Sequence, residues 1–149
     1  MKIVIETIAH KHQRYPTTGD WWIALAQDDR GLPLSQEELH IRVSDMGDWR
    51  YEALVGIHEA IEAVLCLDRK VDPKLVDNFD IAYEKARDDG HEFVHGSCLL
   101  TESSEPGDDI HAPYYKQHQI ATGVERILAA EMGVDWNAYE KANQDLYGV

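Results

Sequence analysis

The hydrophobic period of this chain changes once, near residue 47, and that change narrows the folds open to it. Up to Ser44 apolar residues alternate along short β-branched runs; from Asp48 onward they recur every three or four positions. Alternation suits a strand that buries one face, and the longer period suits a helix that buries one stripe. Strands are predicted at 2–8 (KIVIETI), 20–26 (DWWIALA) and 38–44 (ELHIRVS). The connection HKHQRYPTTGD separates the first two, and a DDRGLP turn precedes the third.

Helices follow. The first runs from about Asp48 to Asp68. Asp72 and Pro73 make a start signal, a side-chain cap before a residue that needs no N–H, for a second helix ending near Arg87 and Gly90. Residues 88–112 read as a loop. Pro113 opens a third helix that Gly133 closes, and Asp135 caps a short last one reaching about Tyr147. The expected fold is α+β in one domain over 1–149. An N-terminal three-stranded antiparallel meander (1–46) packs on three long helices and one short C-terminal helix (47–149).

Composition excludes several function classes. The chain has 149 residues, 44% of them apolar, and a net charge of −14. No apolar run approaches the ~20 residues of a membrane span, and no signal-peptide pattern opens the chain, so a cytoplasmic protein without membrane contact is expected. The acidic surface repels phosphate backbones and disfavours direct nucleic-acid binding. Cys66 sits in a helical apolar pattern and Cys98 in a loop-like stretch; two cysteines make no disulfide framework.

Two motifs carry metal chemistry. A literal HExxH occurs at His91–His95, but Gly90 precedes it and Gly96-Ser97 follow it, which suits a chance match in a loop. HExxH works only on a helix, where positions i and i+4 reach one ion. A degenerate HExxE, His58-Glu59-Ala60-Ile61-Glu62, lies in an unbroken helical pattern. His58 and Glu62 fall within the stripe of Tyr51, Leu54, Val55, Ile61 and Leu65. The third helix repeats the anomaly: His118 and Glu125 interrupt the stripe of Tyr114, Ala121, Leu128 and Met132. Carboxylates on an apolar stripe are costly unless paired, protonated or bound to metal. If the stripes face each other, His58, Glu62 and His118 supply three ligands for Zn, or for Fe or Mn, and leave a position for water. Glu125 is either a fourth ligand or a hydrogen-bond partner of a ligand.

The segment ELHIRVSDMGDWRYEALVGIHEAIEAVLC resembles the minimal zincin metallopeptidase layout, in which an edge strand leads through a short turn into the HExxH helix. The resemblance implies that His58 and Glu62 are ligands, His118 the distal third ligand, and Glu59 the catalytic general base. It departs from the family in having Glu62 where the second His belongs, and a carboxylate ligand makes bound water less acidic. The text HEAIEA also resembles the central helix of HD-type nucleotide phosphohydrolases. The whole chain, including EPGDDIHAPYYKQH and GVDWNAYEKA, resembles uncharacterised proteins of tailed bacteriophages and prophages, which implies a host-cytosolic protein.

Two functions are therefore expected in competition. One is a zincin-like metal-dependent hydrolase acting on a peptide or small molecule. The other is a non-enzymatic acidic phage protein that binds and inhibits a basic host protein. Elsewhere, Asp80 and Glu84 read as a solvated edge of a helix whose apolar face is Leu75, Val76, Phe79, Ala82, Tyr83 and Ala86. Trp21, Trp22, Trp49 and Trp136 read as packing, Glu105–Asp109 as a solvated turn, and His10, His12 and His111 as loop residues without function.

Overall fold

The computed structural model describes residues 1–89 and 105–147. The fold is mixed α/β. Strands β1 (Lys2–Ile8), β2 (Gly19–Gln27) and β3 (Pro33–Ser44) precede helices α1 (Trp49–Asp68), α2 (Pro73–Asp88), α3 (Tyr115–Glu131) and α4 (Trp136–Tyr147). His91, His95 and Cys98 lie outside the described residues.

The sheet is not an antiparallel meander. Its order is β1-β3-β2, with β3 antiparallel to β2 but parallel to β1. The reason lies in the two connections. Between β2 and β3 an Asp28 turn is tight: Asp28 Oδ1 accepts from the backbone N–H of Arg30 and Leu32. The connection from β1 to β2 is longer and crosses the end of β3, where it is pinned. His10 Nδ1 meets Ser44 Oγ at 2.9 Å, and Gln13 Nε2 donates to Ser44 Oγ at 3.1 Å. The Ser44 N–H donates to Thr18 O, and that of Asp45 to Ile8 O. These bonds hold β3 between the other two strands. The strand that feeds α1 is therefore central, whereas the zincin resemblance implied an edge strand.

Centrality explains the burial of β3. Leu39, Ile41 and Val43 are buried toward the helices, while Glu38, His40 and Arg42 line the opposite face. The core joins that apolar face and Trp21 to Leu54, Val55 and Ala63 of α1, and continues through Ala129 of α3 and Tyr139 of α4. Helix ends follow side-chain chemistry. Asp48 accepts from Arg50 N and Asp72 from Lys74 N, each at 2.9 Å, caps that contribute about 1 kcal/mol apiece. Helix α3 starts two residues after Pro113, and Gly133, at φ +65°, lets the chain leave it. Cys66 is a free, buried core residue, its thiol pushed up to about 12 by burial. Trp49 is 70% exposed and does not pack as expected.

Helix α2 is rotated from the expected orientation. Its buried residues are Val76, Asp80, Tyr83 and Glu84, and Leu75 faces solvent. Asp80 and Glu84 are thus not a solvated edge. Buried polar partners, invisible to a hydrophobicity count, hold this face inward: Tyr114 donates to Asp80, the Tyr15 hydroxyl lies 3.2 Å from Asp80, and Arg87 lies 3.6 Å from Glu84.

Burial pushes Glu84 from 4.5 to about 7, against the opposing pull of Arg87. Below pH 4.5 the carboxyl is neutral in both folded and unfolded chains. As pH rises toward 7 the unfolded chain ionises first and native stability falls. Glu84→Gln should therefore raise stability by about 1 kcal/mol at pH 8 and leave it unchanged at pH 4. Urea melts at the two pH values check this; equal stability of variant and parent at pH 8 contradicts it.

Candidate metal centre

Helix α1 presents His58 and Glu62 one turn apart, and α3 packs against it with His118 and Glu125 two turns apart. All four are buried. His58 Nε2 and His118 Nδ1 are 3.1 Å apart, His118 Nδ1 and Glu62 Oε2 2.9 Å, and His58 Nε2 and Glu62 Oε2 3.5 Å. Atoms bound to one ion at about 2.0–2.2 Å lie roughly 3–3.5 Å apart, so this triangle has the dimensions of one face of a coordination shell. The set is His₂Glu.

The rest of each side chain is also held. His58 Nδ1 lies 2.8 Å from Glu125 Oε2, and Tyr139 donates its hydroxyl proton to Glu125 Oε1. Glu125 thus faces the ring nitrogen of His58 that points away from the triangle. Trp21 Nε1 donates to Glu62 Oε1 at 2.9 Å. His118 Nε2 lies 3.4 Å from Asp108 Oδ1 and 3.5 Å from Glu105 Oε2. Both acids sit at a one-turn 3-10 helix, Pro106–Asp108, which reads in the sequence as a solvated turn. It is instead packed on the site: Gly107 is buried, and a Cβ there would overlap the His118 ring. Glu105 also comes within 4.8 Å of ligand atoms of both His58 and His118, a looser alternative to Glu62.

Proton counting limits the ion-free state. Two nitrogens 3.1 Å apart share one proton at most. Burial opposes a cation at His118, but hydrogen bonds with Asp108 and Glu62 outweigh it and hold the imidazolium up to about 10. Burial likewise opposes the Glu62 charge, yet hydrogen bonds from His118 and His58 bring it down to about 2. Burial opposes a charge on His58 as well, yet hydrogen bonds with Glu125 and Glu62 raise its proton affinity too, so the two rings compete for the one proton between them.

Glu59 lines the same cleft, against Gly19 of β2. Among the described residues its carboxylate has no hydrogen-bond or ion-pair partner. Enclosure and the neighbouring Glu62 push it well above the usual carboxylate range. The cleft has room for several waters.

Sequence reading missed the outer groups: Trp21, Tyr139, Glu105, Asp108, and a second buried chain along the cleft. In that chain Tyr114 donates to Asp80, and the Tyr15 hydroxyl lies 3.2 Å from both Asp80 and Asp20. Arg14 clamps Asp20 through Nε and Nη2 at 2.6 and 2.8 Å. One Tyr15 proton cannot serve two carboxylates, and burial pushes Asp80 well up, so Asp80 is the protonated acid. No periodicity marks these residues, because they converge from a loop, a strand and three helices.

In the ion-free protein, His118 should be doubly protonated at pH 8, lose its proton near pH 10, and stabilise the fold fully below 6.5. Nitrogen-15 shifts of the imidazoles check this; a neutral His118 at pH 8 contradicts it. In comparisons with known proteins, no family model, no curated protein and no solved structure matches the chain.

Proposed function

We propose that this protein binds one divalent metal ion, Zn in the first place and Fe or Mn as alternatives, through His58, Glu62 and His118, and uses it to activate water for hydrolysis. One observation carries the reading. Each histidine aims one nitrogen at a shared point with Glu62 Oε2, while its other nitrogen faces carboxylates. Carboxylate-backed histidines are how proteins fix the tautomer and orientation of metal ligands. Glu125 and Tyr139 would orient His58, Trp21 would orient Glu62, and Asp108 and Glu105 would orient His118.

A His₂Glu set leaves a position for water, and the metal supplies its acidification. Glu59 has the attributes of the base: adjacency on α1, a raised affinity for protons, and a carboxylate open to the cleft. Charge narrows the substrate. Glu62, Glu105, Asp108 and Glu125 outnumber a divalent ion, while Arg14 is committed to Asp20 and Asp77, and Arg126 lies over Trp136 and beside Glu140. Such a cleft favours a neutral or cationic amide or ester over a phosphate. The HD-type phosphohydrolase reading is weaker on this ground. It also lacks its upstream histidine, because His40 stacks on Trp22 on the opposite face of the sheet.

One observation favours a second, non-enzymatic reading: the His118 imidazolium, between buried Glu62 and half-exposed Asp108, already forms an ion-pair network without an ion. On that view the centre is structural, and function resides on the acidic surface, toward a basic host protein. Both readings concern a chain in which no helix among the described residues is long and apolar enough to cross a membrane.

Elemental analysis and zinc titration separate the two. The purified protein should hold one ion. His58→Ala and His118→Ala should lower affinity more than 100-fold, and Glu125→Gln about 10- to 100-fold. His91→Ala should leave it intact. Glu59→Gln should keep the ion and lose at least 100-fold in hydrolysis of neutral or cationic ester and anilide substrates. Absence of ion at every zinc concentration would leave the structural reading standing.

A further inference from the structure

The sheet has two edges, and they differ. The β2 edge carries a register irregularity between Leu25 and Gln27, of the kind that blunts strand addition. The β1 edge carries nothing of the sort. Lys2–Ile8 pairs in unbroken register with β3 only, contains neither proline nor glycine, and its outer backbone groups have no partner among the described residues. Ile3 and Ile5 lie on the helix side of the sheet, in register with buried Leu39 and Ile41, yet remain 50% and 54% exposed. An unprotected apolar edge of this kind is a template for another strand.

The strand's own sequence says which one. Residues of one parity share a face, so Lys2, Val4 and Glu6 lie together opposite Ile3 and Ile5. An antiparallel pairing of two β1 strands about a two-fold axis at Val4 sets Lys2 against Glu6 of the second copy, Glu6 against its Lys2, and Ile3 against its Ile5. Moving the axis to Ile5 would set Val4 against Glu6 and Lys2 against Ile8, losing every charge pair. We infer that β1 is a homodimer interface, two copies joining edge to edge about Val4 into one six-stranded sheet. The contact is isologous, so each favourable pair occurs twice. It covers little area beyond one strand, and a dissociation constant of roughly tens of micromolar is expected.

Sedimentation velocity on the full chain, from about 5 to 500 µM, tests it. The parent should pass from monomer to dimer across that range. Lys2→Glu and Glu6→Lys should each raise the dissociation constant about tenfold, and the double variant should return to within about threefold of the parent. A role confined to one chain predicts the reverse. Lys2 pairs with Glu38 at 3.3 Å and Glu6 with Arg42 at 2.8 Å, so the double exchange would break both contacts and restore nothing. As a second measurement, Val4→Cys should cross-link into a covalent dimer under mild oxidation, beyond any cross-linking of the parent. A parent that stays monomeric at the highest concentration, a double variant no better than either single one, or a Val4→Cys chain that does not cross-link overturns the interface.

Discussion

The placement of four ionisable side chains between α1 and α3 governs this molecule. Buried carboxylates and imidazoles are tolerable only when each polar atom is met, and here each one is. The need to meet them recruits the rest of the fold. Trp21 is turned inward on β2, Tyr139 is brought back on α4, and the 3-10 turn before α3 is pressed onto His118. An apolar seam between the two helices would need none of these.

The same requirement links the centre to chemistry. On the proposed metal-binding reading, a proton and a metal ion would be alternative occupants of the space bounded by His58 Nε2, His118 Nδ1 and Glu62 Oε2. The proton costs the site a lone pair on His118 that an ion would use. Beyond the triangle the cleft continues through Glu59 toward Asp80, where a neutral acid lies between two tyrosines and its neighbour Asp20 is clamped by Arg14.

Much of this was legible in one dimension. The change of hydrophobic period places three strands before four helices, and cap residues such as Asp72 and Gly133 locate helix ends by local bonding. His58, Glu62, His118 and Glu125 stand out because each violates the stripe it belongs to. Local rules failed where the competing interaction came from afar. Alternation reports that β3 buries one face, yet Ser44 decides that the strand lies in the middle, through bonds to His10 and Gln13. Helix α2 was turned by Asp80 and Glu84, which satisfy buried partners rather than hydrophobicity.

Sequence alone determined the elements, their caps, and the four polar residues that do not belong on their stripes, since periodicity and capping act within a few residues of each other. Tertiary structure decided the strand order and the facing of α1 on α3. It also decided the identity of every group that holds the centre from outside: Trp21, Tyr139, Glu105 and Asp108. Those contacts join residues dozens of positions apart. The free energy that selects them, the cost of leaving a buried polar atom unpaired, exists only once the chain has closed around it.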